Sequence, residues 1–151
     1  MVLAACEAFP SVDTALLKQG WHVSHIDVSD EFGGPSAMAA FDAFYPFACK
    51  KLDLTEKPMT GGFSRGELPA SLWTIRNSDE VSGVYLDVAV MNILSGPGKN
   101  SRKRGSAVSK RWGSDKLSAQ SWNGPLDKMQ ALVEAGVPVM ITAGGADDAV
   151  P

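Results

Sequence analysis

Apolar segments of strand length alternate with segments of helical periodicity along most of the chain. Strands are predicted at residues 2–5, 21–28, 57–63, 81–86 and 137–142, and helices at about 11–19, 35–51, 67–76 and 126–135. Strands that are separated by helices form a mostly parallel sheet with helices on both faces. The alternation therefore predicts a single α/β domain over residues 1–151, with right-handed crossovers between its strands.

The composition is that of a globular domain and argues against several classes of function. Hydrophobic residues make up 44% of the chain and charged residues 21%, which argues against disorder. The net charge of −3 is too small to indicate nucleic acid as a partner. The sequence contains no apolar run of about 18 residues, the length that a membrane-spanning helix needs. The first residues also lack the charged and apolar regions of a signal peptide. We therefore expect no nucleic-acid or membrane partner and, by default, a cytoplasmic location.

Residues 62–66 read Gly-Phe-Ser-Arg-Gly and match the nucleophile-elbow pattern G-x-S-x-G between a predicted strand and a predicted helix. In such a turn Ser64 adopts a strained conformation, and glycines flank it because side chains there would meet neighbouring backbone. The backbone amide of Arg65 would help to hold an oxyanion at the start of the helix. The alternative is an ordinary helix cap, because Ser64 and Glu67 also match the capping-box pattern S-x-x-E.

A second informative turn follows the last predicted strand, where residues 144–151 read Gly-Gly-Ala-Asp-Asp-Ala-Val-Pro. Asp147 would lie at the carboxyl end of that strand, the edge at which open α/β sheets place their sites. Ser64 would lie at the same edge. We interpret Asp147 as the acid that orients a catalytic histidine. Asp148 and Asp87 are further candidates that rank below it, and an Asp-rich turn without a catalytic role is the alternative.

These two turns resemble those of bacterial α/β-hydrolase-fold proteins of the esterase and prolyl-oligopeptidase-like kind. Residues 15–23, 32–35, 85–90 and 136–151 carry the rest of the resemblance. It implies a partial three-layer αβα fold, a truncated central portion of the family's domain. It also implies Ser64 as nucleophile, Asp147 as triad acid, the Arg65 amide as oxyanion donor, a small-molecule acyl substrate and no cofactor. The family often has glycine where this chain has Glu67, and a carboxylate there would oppose an oxyanion.

The chain has two histidines, His22 and His25, on a strand that is predicted to be central and buried. Because their spacing of three puts them on opposite faces, they cannot form a metal pair. Cys6 and Cys49 also lack metal spacing, so no metal site is expected. We expect both histidines to be hydrogen-bonded structural residues. The order Ser, Asp, His places the missing base beyond position 151. Without a base Ser64 is a poor nucleophile. Low or no activity is therefore expected, and a non-catalytic remnant or binding module of the same fold is the alternative.

A basic, glycine- and serine-rich segment at about 95–119 is predicted to be a surface loop. Its basic residues are Lys99, Arg102, Lys103, Arg104, Lys110 and Arg111. The loop is either simply solvated or a lid or specificity loop that attracts an anionic substrate. A nucleic-acid-binding patch is a further alternative for these basic residues. Trp112 and Trp122 could flank a pocket or anchor the loop to the core. A nucleotide-binding Rossmann-like domain is not indicated, because no G-x-G-x-x-G follows the first strand.

Overall fold

The computed structural model describes residues 1–5, 10–54, 56–92, 108–113 and 124–145. These ranges contain the strands and α-helices β1 (Val2–Ala5), α1 (Pro10–Lys18), β2 (Val23–Ile26), α2 (Pro35–Pro46), β3 (Met59–Phe63), α3 (Glu67–Arg76), β4 (Gly83–Asp87), α4 (Pro125–Lys128), α5 (Gln130–Glu134) and β5 (Val139–Thr142). Residues 108–111 are also helical. A π-helical turn, Phe47–Lys51, continues α2. No helix in the described part of the chain is both long and apolar enough to cross a bilayer.

The five strands form one parallel sheet in the order β2-β1-β3-β4-β5. The predicted α/β character with a parallel sheet is therefore confirmed. From β1 the chain moves to β2 on one side, and it then returns past β1 to β3 and continues outward to β4 and β5. Right-handed crossovers would put α1 on one face and α2 and α3 on the other. In agreement with that arrangement, α3 contacts both α2 and α4.

The prediction that the strand around residues 21–28 is central is wrong. β2 is shorter, Val23–Ile26, and it forms one edge of the described sheet. The four residues of β1 take the interior position instead, between β2 and β3. Periodicity shows which face of a strand is covered, but it carries no information about the position of the strand in the sheet. Because β2 lies at the edge, His25 is exposed.

The predicted helix over 126–135 is divided into α4 and α5 at Met129. Met129 has φ −57° and ψ −27°, a tighter 3₁₀-like geometry that interrupts regular α-helical hydrogen bonding. The neighbouring prediction of a strand up to residue 142 is confirmed by β5.

The core lies between α2, α3 and the sheet. Trp73 on α3 is 1% exposed and stacks on Phe41 of α2, with 5.5 Å between the ring centroids. Leu86 of β4 and Leu132 of α5 are fully buried in the same cluster. The first eight residues of α3 are all buried, so this helix is enclosed on every side over that stretch. The turn that leads into α3 is consequently held by the best-packed helix of the described chain.

Candidate active site at the carboxyl edge of the sheet

The turn between β3 and α3 has the strained geometry that the sequence predicts. Residues Ser64–Gly66 form one 3₁₀ turn, and Ser64 has φ 51°. A non-glycine residue in this left-handed region costs on the order of 1–3 kcal/mol. A Cβ on Gly62 would lie 2.7 Å from both the Cα and the amide nitrogen of Glu67. Only glycine at position 62 therefore allows this close approach of strand and helix. Gly66 is buried but has ordinary helical dihedrals.

The alternative that Ser64 and Glu67 form a capping box is wrong. The residues in the cap positions of the turn and of α3 are Phe63 and Gly66, and neither makes a side-chain cap hydrogen bond. Both carboxyl oxygens of Glu67 are buried without a hydrogen-bond partner, whereas a capping box requires them to bind a backbone amide. The serine is therefore held in this turn for a reason other than helix capping.

Ser64 lies where the connections of the sheet diverge. Gly62, near the end of β3, is aligned with Ala5, the last residue of β1. The chain leaves β1 for the β2 side of the sheet and leaves β3 for the β4 side. In open α/β sheets such a point opens a crevice at the carboxyl ends of the strands, and ligands bind there. The position of Ser64 therefore suits a binding or catalytic residue.

The end of β4, next to Ser64's strand, carries a second strained residue. Asp87 is aligned with Phe63, and its carboxylate accepts a hydrogen bond from the hydroxyl of Thr142 on β5. Val88, directly after Asp87, has φ 59°, which is a genuine outlier for a β-branched residue. Strained backbone concentrates at functional sites. Left-handed residues therefore follow two adjacent strands, β3 and β4, which makes this edge of the sheet the candidate functional site.

Glu67 is buried beside this edge and is uncharged at neutral pH. Its exposed fraction is 0%. Loss of hydration on burial is the largest effect that raises the pKa of Glu67, to about 9. The negative charge of Asp87 adds to the increase, and the nearby Asp87 backbone amide opposes it without reaching hydrogen-bond geometry. The concern that a carboxylate at position 67 would oppose an oxyanion is thus corrected, because the side chain is a neutral acid at neutral pH.

The side chain of Arg65 contacts the segment before α2. The oxyanion prediction therefore concerns the backbone amide of Arg65 and not its guanidinium group. One guanidinium nitrogen, Nη1, lies 2.7 Å from Oδ1 of Asp30, and the guanidinium carbon lies 5.8 Å from the ring centroid of Phe32. The proposed oxyanion contact uses the backbone N–H of Arg65, and that assignment stays a prediction.

Neither histidine accompanies Ser64. His25 is hydrogen-bonded to Asp13 of α1, with 3.2 Å between Nε2 and Oδ2, so its predicted structural role is confirmed. His25 is aligned with Ala4 of β1, which is aligned with Gly61 of β3. Two strand spacings, about 10 Å, therefore separate His25 from β3. The prediction that the histidines are buried is wrong, because His22 and His25 are both exposed.

Several predicted features lie outside the described residues, namely Cys6, Asp147, Asp148, Trp122 and most of the basic segment at 95–119. Residues 108–113 of that segment are described. Val108 is buried, and the indole of Trp112 donates a hydrogen bond to the carbonyl of Phe32 at 3.0 Å. Arg111 pairs with Glu31 at 3.0 Å. This part of the segment is thus anchored to the core, and Trp112 provides one of the anchors.

Two grooves lie on the helical side of the described chain, and Ser64 lines neither of them. One of 610 Å³ runs between α2, α3 and Trp112, and Met38, Leu72 and Ile75 line it. Another of 470 Å³ is lined by residues of α2, the following π-helical turn and the end of α3. In the described ranges no group of three or more His, Cys, Asp or Glu side chains is arranged to hold a metal ion.

Comparisons with known proteins find a likeness of fold and none of sequence. No protein-family profile matches the chain, and no curated protein matches it in sequence. Among solved structures, a ferulic acid esterase superposes with a TM-score of 0.54 at 18% identity, covering 97% of this chain and 76% of that one. The chain therefore shares an α/β fold with an esterase.

Proposed function

We propose that the protein is a serine hydrolase of the α/β-hydrolase fold, acting on carboxylic esters or related acyl bonds of small molecules. The observation that supports this most is the strained Ser64, with φ 51°, at the divergence point of the sheet. The partial three-layer αβα architecture belongs to the same proposal. The fold shared with a ferulic acid esterase makes an ester the first substrate class to test.

In the proposed reaction Ser64 Oγ attacks the acyl carbon while its proton passes to a general base. The backbone amide of Arg65, at the start of α3, would stabilise the negative charge on the carbonyl oxygen. The alcohol leaves with a proton from the protonated base, and water then hydrolyses the acyl-enzyme. Asp147 would orient the base, which the family's order Ser, Asp, His places after it in sequence. This acyl transfer requires neither a metal nor a cofactor.

The second candidate function is a non-catalytic binding module with the same fold. One observation favours it: about 10 Å separates β2, which carries His25, from β3, which leads into Ser64. The sequence has no histidine besides His22 and His25, so no histidine of this sequence is placed to act as the base. Such a module would retain the Ser64 turn at the carboxyl edge of the sheet without the chemistry.

A fluorophosphonate probe distinguishes the two functions. We expect slow labelling of this chain that is lost in Ser64→Ala, because removing one triad member leaves only about 10³–10⁴-fold rate enhancement over water. Added imidazole should accelerate the labelling by replacing the missing base. A folded chain whose labelling is the same in Ser64→Ala, with or without imidazole, would instead indicate the binding module. A matched pair of substrates, methyl ferulate and a simple acetate ester, then tests whether an aromatic acyl group is preferred.

A further inference from the structure

The groove of 610 Å³ between α2, α3 and Trp112 has the size of a small-molecule site, for which about 300–1,000 Å³ is typical. Apolar side chains form its walls, with Met38 on α2 and Leu72 and Ile75 on α3. Ser64 does not line this groove, so a ligand in it would not occupy the proposed catalytic site. We call it the α2–α3 groove, and it is a candidate for a second site.

Close backbone contacts fix the walls of the α2–α3 groove. Gly33 has φ 71°, and a Cβ there would lie 2.8 Å from Cδ1 of Leu72. A Cβ on Gly34 would lie 2.8 Å from the carbonyl oxygen of Arg111. The segment before α2 is thus packed tightly against α3 and against the segment that carries Trp112. Because the walls are already in place, little ordering is needed when a ligand binds.

Three charged residues line the α2–α3 groove, and one of them has no opposite charge beside it. Asp42 and Arg76 pair with each other, so their charges cancel locally. Lys128 of α4 takes part in none of the ion pairs found among the described residues. It is half-buried, which limits the screening of its charge by water. The apolar groove therefore carries one uncompensated positive charge.

We propose that the α2–α3 groove binds a small aromatic carboxylate, with its ring against the apolar walls and its carboxylate at Lys128. The thioether of Met38 and the indole of Trp112 both make favourable contacts with aromatic rings. One uncompensated ammonium group complements one carboxylate, whereas an uncharged ligand leaves it without a partner. This site is separate from Ser64 and does not depend on the proposed function.

The test is an NMR titration of the whole ¹⁵N-labelled chain with phenylbutyrate. We expect saturable binding that shifts the indole signal of Trp112 and has the same dissociation constant in Ser64→Ala. Phenylbutyramide has nearly the same shape without the charge, and it should bind about two- to fivefold more weakly, the effect expected of a partly exposed ion pair. Lys128→Gln should weaken binding of the carboxylate by the same factor and leave binding of the amide unchanged.

A matched pair of alanine substitutions tests where the ligand lies. Ala39 is an exposed residue of α2 that lines the groove, so Ala39→Phe should fill the groove and abolish binding of both ligands. Ala15→Phe makes the same change at an exposed position of α1 that does not line the groove, and it should leave both dissociation constants unchanged. Circular dichroism establishes that each variant is folded.

Several results would overturn the proposal. The groove is not the site if phenylbutyrate shows no saturable binding, if Ala39→Phe still binds it, or if Ser64→Ala abolishes binding. The carboxylate is not recognised if the acid and the amide bind equally well, or if Lys128→Gln weakens both by the same factor. Sedimentation velocity covers a second copy of the chain as the occupant. A dimer of the unmodified chain that becomes a monomer in Ala39→Phe would assign the groove to self-association instead.

Discussion

A carboxyl group lies at each end of α3, and the two groups differ in burial and in hydrogen bonding. At the carboxyl end, Asp42 of α2 accepts hydrogen bonds from the Trp73 indole, at 2.9 Å, and from Arg76, and its side chain is half exposed. At the amino end, Glu67 is fully buried and its oxygens have no partner. The paired acid ties two helices together, as packing and hydrogen bonding require. The unpaired acid lowers stability, and it lies beside the one turn that we propose to be functional.

The largest effect should come from the well-paired end. Trp73→Ala removes a side chain that is 1% exposed and stacks on Phe41, so we expect a loss of about 3–5 kcal/mol in the free energy of unfolding. Trp73→Phe keeps most of the ring packing but loses the hydrogen bond to Asp42, and a loss of roughly 1–2 kcal/mol should follow. Urea unfolding curves measure both values. Equal losses would mean that the hydrogen bond, and not the packing, holds this end.

At the amino end of α3, where Glu67 is unpaired, a substitution should raise the free energy of unfolding instead of lowering it. The folded chain raises the pKa of Glu67 from 4.5 to about 9, so the folded state binds the proton more tightly than the unfolded state. The stability from this group is complete below about pH 4.5 and decreases by about 1.4 kcal/mol per pH unit up to about pH 9. Glu67→Gln, which cannot ionise, should therefore be more stable than the unmodified chain by about 3 kcal/mol at pH 7. The difference should nearly vanish at pH 4.5.

Asp42→Asn is the matched control for that measurement. It also converts one carboxylate to an amide against α3, and it retains an oxygen that can accept from the Trp73 indole. Because the side chain is half exposed, we expect a small loss of stability at pH 7, below about 1 kcal/mol, instead of a gain. A gain in both variants would show that any removal of negative charge stabilises this acidic chain, and the contrast between the two ends would then disappear.

A smaller effect should separate two adjacent glycines of β3. At Gly62 a Cβ would meet the backbone of Glu67 at 2.7 Å, whereas at Gly61 the nearest atom, the carbonyl oxygen of Tyr85, is 3.6 Å away. We expect Gly62→Ala to lose roughly 1–3 kcal/mol and to change the amide signals of the Ser64 turn. Gly61→Ala should be nearly neutral. Similar losses in both variants would place the constraint in the strand and not in the contact between turn and helix.

The sequence predicts the elements of this fold better than their arrangement. The alternation of strands and helices located all five strands, and the G-x-S-x-G pattern correctly predicted a strained Ser64 and a glycine constraint at Gly62. Strand order was not predictable in the same way. β1 reads Val-Leu-Ala-Ala, an apolar run that suits an interior parallel strand, whereas β2 reads Val-Ser-His-Ile. The pairing of β1 with both β2 and β3 shows that β2 is the edge strand of the described sheet.

The protonation of Glu67 was also beyond local sequence patterns. The G-x-S-x-G pentapeptide ends at Gly66, and the S-x-x-E pattern interprets Glu67 as a carboxylate that accepts from a backbone amide, because each pattern describes only four or five neighbouring residues. Its pKa depends on burial by the whole core and on Asp87, which is twenty residues later in the chain. One signal was available, since Glu67 directly precedes the apolar run Leu68-Pro69-Ala70 at the start of an enclosed helix.

The smallest effect should come from an acid that lies near the same turn but is exposed. Asp30 pairs with Arg65 at 2.7 Å, and its side chain is 79% exposed. Asp30→Asn should change the free energy of unfolding by less than about 1 kcal/mol, because exposed ion pairs are screened by water and salt. The same curves measured at low and high salt check this, since the small difference should shrink as salt is added. A large, salt-independent loss would mean that the Arg65 side chain anchors the turn. The effect of an acid on the free energy of unfolding would then depend on its proximity to the Ser64 turn and not on its burial.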